Sequence, residues 1–419
     1  MPPPATLSEW LDYIERIHPK SIELGLERVR AVMGRLALGN DATIVTVAGT
    51  NGKGSTCAIL ESILLAAGYA VGLYTSPHLL RYNERVRVTG RPVDDDELCS
   101  AFSRVEAARA GVPLTYFEFG TLAAGTVFAG ARPEVLILEV GLGGRLDAVN
   151  AFDADCAIVT SIAIDHIEYL GGTREQIGLE KAGIFRTGRP AVLADPDPPA
   201  TVIGHAQAIG ANLQCLGRDF GFSVERSKWT FWGRGGRRDG LAFPALRGAC
   251  QLRNASACLA ALDALAEPLP VGMNALQTGL TAVVFPGRFQ VLPGRPSVVL
   301  DVAHNPQAAA TLAQNLDDMG PYPATYAVIG MLRDKDIEGV CAALKGRISA
   351  WCAASLAVAR GAEAAMLEQS IRATDAGADV QEFDSPRSAF HAACKRAGEN
   401  DRIIVFGSFY TVAEVMAAQ

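Results

Sequence analysis

The chain has 419 residues, 49% hydrophobic and 20% charged, with 38 Lys and Arg against 45 Asp and Glu for a net charge of −7. That length exceeds one ordinary core and predicts about two or three domains, while the negative balance excludes general attraction to nucleic acid or to an anionic membrane, so an anionic substrate must be met by local positive charge. Nine scattered cysteines without a C-x-x-C pair argue against a disulfide framework or zinc site. With no basic-then-apolar leader at the N-terminus and no apolar run near ~18 residues, a reduced, cytoplasmic enzyme is expected.

In chain order, an amphipathic helix from about Thr6 to Ile17 is followed by alternating elements: strand 43–48, helix 55–67, strand 70–74, helix 94–109 and a helical stretch near 118–129. Strands 134–139 and 156–161, helix 174–182 and strand 190–194 continue the alternation, which predicts a parallel sheet covered by helices. From about 212 to 244 the character changes. Trp229, Phe231, Trp232 and the Gly/Arg patch at 233–238 suggest short antiparallel strands, an appendage to the first domain. Helices at roughly 251–266 and 272–281 lead to Phe285-Pro286-Gly287-Arg288, where the boundary between a domain at 1–284 and one at 285–419 is placed. Strands near 297–302, 326–330, 348–354, 378–383 and 402–407 then alternate with helices beginning near 306, 334, 361, 386 and 409. The expected fold class is α/β, a P-loop-containing central domain with a mostly parallel sheet plus a C-terminal Rossmann-like α/β domain.

The most informative segment is Gly49-Thr50-Asn51-Gly52-Lys53-Gly54-Ser55, between the β-rich run 43–48 and an uninterrupted helical stretch. Glycines let successive N–H groups converge on one anion, the helix N-terminus adds its positive dipole end, Lys53 adds a charge and Ser55 or Thr56 a hydroxyl for Mg²⁺. The G-x-x-x-x-G-K-[ST] spacing is not met, since Val47 stands at its first glycine and Gly54 separates Lys53 from Ser55. A nucleotide triphosphate is nevertheless implied.

Ligands of open α/β sheets bind beyond the carboxyl ends of strands. Glu139 closes the strand Val135-Leu136-Ile137-Leu138, where it either touches Mg²⁺ or is capped by the amides that follow. Ser76 closes 70–74, and His166 follows 156–161 at the same edge. Lys181, near a helix C-terminus, is on pattern alone a surface lysine. In the second domain Asp301-Val302-Ala303-His304-Asn305-Pro306 ends a strand and opens a helix, so Asp301 and His304 either face a nucleotide across an interdomain cleft or cap that helix.

These segments, together with Ile22 to Val29, Thr75 to Leu79, Leu114 to Glu118, Glu139 to Asp147, Thr160 to His166, Glu180 to Phe185, Pro286 to Gln290 and Gly407 to Val412, resemble the folylpolyglutamate synthase family of the Mur ligase superfamily, in its bacterial bifunctional form. The resemblance spans nearly the whole chain. It implies ATP-dependent amide ligation, in which the carboxylate of dihydropteroate or of a reduced folate's terminal glutamate becomes an acyl phosphate that the amine of L-glutamate displaces.

Carried over, Gly49, Thr50, Asn51, Gly52, Lys53, Gly54 and Ser55 would wrap the phosphates; Ser76 and Glu139 would hold one Mg²⁺, and His166 the second beside a carbamylated Lys181, with room for a monovalent cation. Asn254, Arg288, Asp301 and His304 would hold the rest of the nucleotide. Leu24, Gly25, Thr115, Tyr116, Phe117, Glu118 and Leu146 would form the substrate pocket, and Lys53, Lys181 and His166 would be catalytic. Small-molecule substrates, a monomer, and gating by closure of the C-terminal domain are implied. Val149 and Val302 depart from the family pattern, where Thr and Gly are usual. A monofunctional polyglutamate synthase, a ligase of UDP-muramyl peptides and, from another class, a P-loop regulatory module are the competing readings. The muramyl reading is disfavoured by having only about 45 residues before the loop, too few for a nucleotide-sugar domain.

Overall fold

The computed structural model describes residues 4–20, 22–39, 41–225 and 227–418. The chain divides into two compact units, Met1–Ala245 with Leu252–Val283, and Leu246–Gln251 with Val284–Gln419.

The first unit opens with α1 (Leu7–Arg16), started by a capping box in which the Thr6 hydroxyl accepts the Glu9 N–H and the Glu9 carboxylate accepts the Thr6 N–H. After α2 (Glu27–Leu36), the apolar run β1 (Thr43–Ala48) passes through the loop at 49–52 into α3 (Lys53–Ala66). Then come β2 (Val71–Tyr74), β3 (Val86–Val88), β4 (Arg91–Pro92), α4 (Asp95–Arg109), α5 (Tyr116–Ala131), β5 (Val135–Glu139) and β6 (Cys156–Val159). The short α6 (Ile167–Leu170), α7 (Arg174–Ala182), β7 (Pro190–Leu193), α8 (Ala200–Ile209) and β8 (Asn212–Cys215) complete the main layer.

Among the described residues these strands form one sheet in the order β4-β3-β2-β5-β1-β6-β7-β8, parallel from β2 to β8 with β3 and β4 antiparallel. Its central strands are covered on both faces, which is why β1, β5 and β6 are mostly apolar and buried along nearly their whole length without alternation. Trp10 of α1, Phe102 of α4 and Phe119 of α5 pack with ring centroids 5.7 to 6.4 Å apart and fix the N-terminal end of α5 over the sheet.

Residues 212–215 correct one expectation. Expected in the antiparallel appendage, they form β8, parallel to β7 at the edge of the large sheet. Their sequence alternates polar and apolar residues although Gln214 is fully buried, so the pattern carries no information on strand direction. The appendage is β9 (Gly221–Glu225), β10 (Lys228–Gly233) and β11 (Gly236–Leu241), antiparallel around buried Trp229 and Phe231. Helices α9 (Cys250–Ala264) and α10 (Met273–Ala282) follow, and α10 packs on α3 closely enough that a Cβ at Gly279 would lie 2.4 Å from the Ile63 Cα.

The second unit contains β12 (Gln290–Leu292), β13 (Ser297–Leu300), α11 (Pro306–Asp318), β14 (Thr325–Ile329), α12 (Ile337–Ala343), β15 (Ala350–Ala354), α13 (Ala364–Thr374), β16 (Val380–Phe383), α14 (Pro386–Arg396), β17 (Arg402–Phe406) and α15 (Phe409–Met416). Its sheet order is β12-β13-β17-β14-β15-β16. All neighbours are parallel except β12, an antiparallel edge strand of three residues, too short to leave a periodic signal in the sequence. Among the described residues no helix is long and apolar enough to cross a membrane.

Candidate active site

The chain order reverses at β1, whose neighbours are β5 and β6, and a crevice opens at such a switch point. Val47 pairs with Glu139 and Ala48 with Val159, so the loop after β1 emerges between the ends of both neighbours. Two residues beyond β6 hold it there. The Thr50 N–H donates to the Ser161 carbonyl (2.7 Å) and the Asn51 N–H to Ser161 Oγ (3.1 Å), while the hydroxyls of Thr160 (2.7 Å) and Ser161 (3.0 Å) both donate to the Asn51 carbonyl. Thr50 Oγ1 exchanges hydrogen bonds with the Ala163 backbone.

The glycines are dictated by this closeness. A Cβ at Gly49 would lie 1.9 Å from Thr160 Oγ1, and one at Gly52, in the left-handed region at φ 88°, would lie 2.7 Å from Asn254 Oδ1. Asn254 of α9 therefore reaches the loop. Lys53 opens α3 and its Nζ donates to the carbonyls of Gly49 (3.0 Å) and Thr50 (3.3 Å), which holds the ammonium over the loop at the positive end of a 14-residue helix. Gly54 and Ser55 are buried in its first turn.

Ser76 and Glu139 meet as adjacent strand ends, the Ser76 N–H donating to Glu139 Oε2 at 3.0 Å. His166 lies beyond β6 with φ 52° and ψ 43°, an unusual conformation for a residue bearing a Cβ, and its N–H donates to Asp165 Oδ1. Lys181 overturns the surface reading, being only 3% exposed. The buried stripe of α7 is Ile177, Gly178, Lys181 and Ala182, and the loop after β5 presses on it so tightly that a Cβ at Gly144 would lie 2.7 Å from the Glu180 carbonyl.

Burial first, and then the charge of Lys53, bring the Lys181 pKa down to about 7, against the opposing pull of Asp165 and Asp147. Asp147 is itself pushed up to about 7 by burial although the N–H groups of Leu142, Val149 and Gly141 favour its ionised form. Asp147 is not among the residues that the motifs single out. Its one signal was a carboxylate inside the glycine-rich turn that follows a strand-end Glu.

Of the residues expected to line a substrate pocket, Gly25 and Leu146 are joined by a main-chain tie. The Gly25 N–H donates to the Leu146 carbonyl at 3.2 Å. Thr115 and Glu118 form a capping box at the start of α5, so their polar atoms serve that helix; Glu118 also pairs with Arg28. Phe117 packs against Tyr74 with centroids 5.9 Å apart and covers Gly141, where a Cβ would lie 2.5 Å from the ring. Arg85, missed in the sequence as one arginine among several, stands over the rings of Tyr82 (5.2 Å) and Tyr116 (5.5 Å) and donates to His78 Nδ1 at 2.9 Å.

In the second unit Arg288, Asp301 and His304 also come together. The Arg288 guanidinium lies 4.9 Å from both the Phe285 and Phe409 ring centroids. Asp301 accepts the N–H groups of Phe289 and Ala303, both 2.8 Å. Burial raises its carboxyl, opposed by those amides and by Arg288. His304 Nδ1 lies 2.8 Å from the Val302 carbonyl, and its ring faces Phe409. The helix-capping alternative belongs to Asn305, whose side chain accepts the Ala308 N–H.

The residues suit a nucleotide triphosphate with a divalent cation. Two glycines whose Cβ positions are already filled let the loop backbone close on an anion. Among the described residues no three of His, Cys, Asp and Glu cluster tightly enough to hold a metal by themselves. A hard cation that keeps waters and shares phosphate oxygens needs only one or two protein donors, such as Glu139 with the Ser76 hydroxyl.

The Mur ligase middle domain matches residues 47–219 and the Mur ligase glutamate ligase domain residues 287–409. The dihydrofolate synthase/folylpolyglutamate synthase of Escherichia coli is 47% identical over 411 residues, 98% of this chain and 94% of the relative. The chain belongs to the dihydrofolate synthase/folylpolyglutamate synthase family. A solved structure of the E. coli family member with DHPP and ADP superposes with a TM-score of 0.94 at 46% identity, covering 99% of this chain and 97% of that one. A bifunctional folylpolyglutamate synthase/dihydrofolate synthase with Mn, AMPPNP and L-glutamate bound gives 0.92 at 46% identity, covering 99% and 98%. In this family member Val149 is fully buried, and its N–H donates to Asp147 at 3.0 Å, so the missing hydroxyl leaves that backbone contact in place. Val302 is 5% exposed and its N–H donates to the Gly287 carbonyl.

Proposed function

We propose that this chain is an ATP-dependent amide ligase that adds L-glutamate to dihydropteroate, giving dihydrofolate, and to the terminal glutamate of reduced folates. The observation that carries the reading is the convergence at one sheet edge of the phosphate loop, Lys53, the Ser76–Glu139 pair and buried Lys181. A substrate carboxylate oxygen bonds to the γ-phosphorus as the bond to the ADP oxygen breaks; the glutamate nitrogen then bonds to the acyl carbon, phosphate leaves, and the amine loses a proton. Two anions must approach in the first step. The first-turn amides of α3 and Lys53 would offset that charge, and bound Mg²⁺, at two sites in this reading, would supply further Lewis-acid neutralisation. Within the first unit Asn254 would hold a further part of the nucleotide, and Leu24, Gly25, Phe117 and Leu146 would flank a flat heterocycle; within the second unit Arg288, Asp301 and His304 offer groups suited to a phosphate and a ribose.

Lys181 is read as carbamylated. Burial favours the neutral amine; its nitrogen bonds to the carbon of CO₂ and gives up a proton to solvent, and the resulting carbamate is an anion fit to join a cation site. With ¹³C-bicarbonate, wild-type protein should show a carbamate resonance that Lys181→Met lacks; identical spectra would remove this feature. The nine cysteines are all free thiols, in keeping with a reducing cytoplasm.

The functional test offers dihydropteroate and a reduced folate in separate reactions with ATP, Mg²⁺ and L-glutamate and weighs the products. Gain of one glutamyl unit in both is the expected result. Gain in the folate reaction alone would reduce the assignment to a monofunctional synthase, and no gain in either would overturn it.

A further inference from the structure

Arg28 lies in the first turn of α2, where the helix dipole disfavours a cation, and α2 has no side-chain N-cap. Its guanidinium is held from two directions. Nη2 donates to the Glu23 carbonyl at 2.9 Å, and Nη1 stands 3.6 Å from the Glu23 carboxylate. Nε and Nη2 donate to Glu118 Oε1 at 3.1 and 2.9 Å. The other Glu118 oxygen accepts the Thr115 N–H at 2.8 Å, and Glu118 is 3% exposed. One side chain thus joins the backbone of segment 22–26 to the N-terminal turn of α5, 90 residues away in sequence. Segment 22–26 is tied on its other side to the loop after β5 through Gly25 and Leu146.

We propose that Arg28 is a positioning residue that sets the width of the heterocycle pocket, by locking the segment carrying Leu24 and Gly25 against the turn carrying Tyr116 and Phe117. The proposal rests on the ligase reading above. Planar geometry is required, because a guanidinium presents one edge to Glu118 while a further N–H reaches the Glu23 carbonyl; a lysine ammonium reaches one or the other. The clamp touches neither the phosphate loop nor the Ser76–Glu139 pair, so its loss is felt in pterin recognition ahead of ATP use.

Arg28→Met, Arg28→Lys and wild type are compared by steady-state kinetics with dihydropteroate, ATP and L-glutamate varied in turn, by quenching of intrinsic fluorescence on dihydropteroate binding, and by amide hydrogen exchange. In Arg28→Met the KM for dihydropteroate should rise about tenfold or more, with those for ATP and L-glutamate within about twofold, since small misplacements of a positioning contact carry large penalties. Exchange should accelerate at 22–26 and 114–118 and stay unchanged at 49–56. Arg28→Lys should fall between, and decides the matter if Arg28→Met does not fold. Faster exchange with an unchanged dihydropteroate KM, or a uniform rise in all three KM values, overturns the proposal. Wild-type protein that neither ligates nor binds dihydropteroate overturns the ligase reading and the pocket with it.

Discussion

Lys53→Ala should lose at least about 10³-fold in ATP-dependent ligation, the scale expected when a preorganised charge is removed from a water-excluded site, while its thermal midpoint stays within a few degrees of wild type. Lys53 Nζ donates to two loop carbonyls, but its charge also lies near Lys181 and lowers the pKa of that amine. Truncation removes two modest hydrogen bonds, each about 0.5–1.5 kcal/mol net, which moves the midpoint of a chain of this size by only a few degrees. In the reaction nothing offsets the loss, because two anionic groups must come into bonding distance. Lys53→Arg should remain impaired, since a planar fork has the wrong shape for a socket built around a compact ammonium. Wild-type turnover in Lys53→Ala, measured as ADP formed per glutamyl unit added, would falsify the role given to the loop.

The loop was legible in the sequence because its chemistry is local: a strand, a glycine-rich turn, a lysine and a helix stand within about 25 residues. The strand-end carboxylate and serine were legible for a related reason, since an apolar run that stops on a polar residue marks where a parallel strand leaves the core. Lys181 was not. Its burial comes from the loop at 141–147 folding over α7, a contact between segments about 40 residues apart that no helical pattern encodes. Arg28 and Arg85 escaped notice because an arginine reads as solvated until its partners are known; Glu118 and Tyr116 are brought to them only by the tertiary fold, while His78, 7 residues before Arg85, meets it across the turn after β2. The direction of β8 was lost because its neighbour, not its composition, decides it.

Gly49→Ala should abolish nucleotide binding and lower stability together, unlike the lysine substitution. The new Cβ would fall 1.9 Å from Thr160 Oγ1, 3.1 Å from Thr160 Cβ and 3.2 Å from the Ser161 nitrogen, at a φ of 151° that a side chain rarely adopts. Thr160 has little freedom to yield, since its hydroxyl donates to the Asn51 carbonyl and contacts the Ala48 carbonyl at 3.3 Å. The strand-to-helix turn must therefore move, at a cost of about 1–3 kcal/mol typical of overpacking, and the first-turn amides of α3, from Lys53 to Ser55, lose their shared focus on one anion. Adding Thr160→Ala relieves the worst contact but leaves the Cβ and backbone contacts and the unfavourable φ. The double variant should regain part of the stability and little of the affinity. Thermal denaturation with and without ADP measures both: wild type should gain several degrees from the nucleotide, whereas Gly49→Ala should start lower and gain none. A normal ADP-induced shift in Gly49→Ala would mean that the glycine serves packing alone and that the anion is gripped elsewhere.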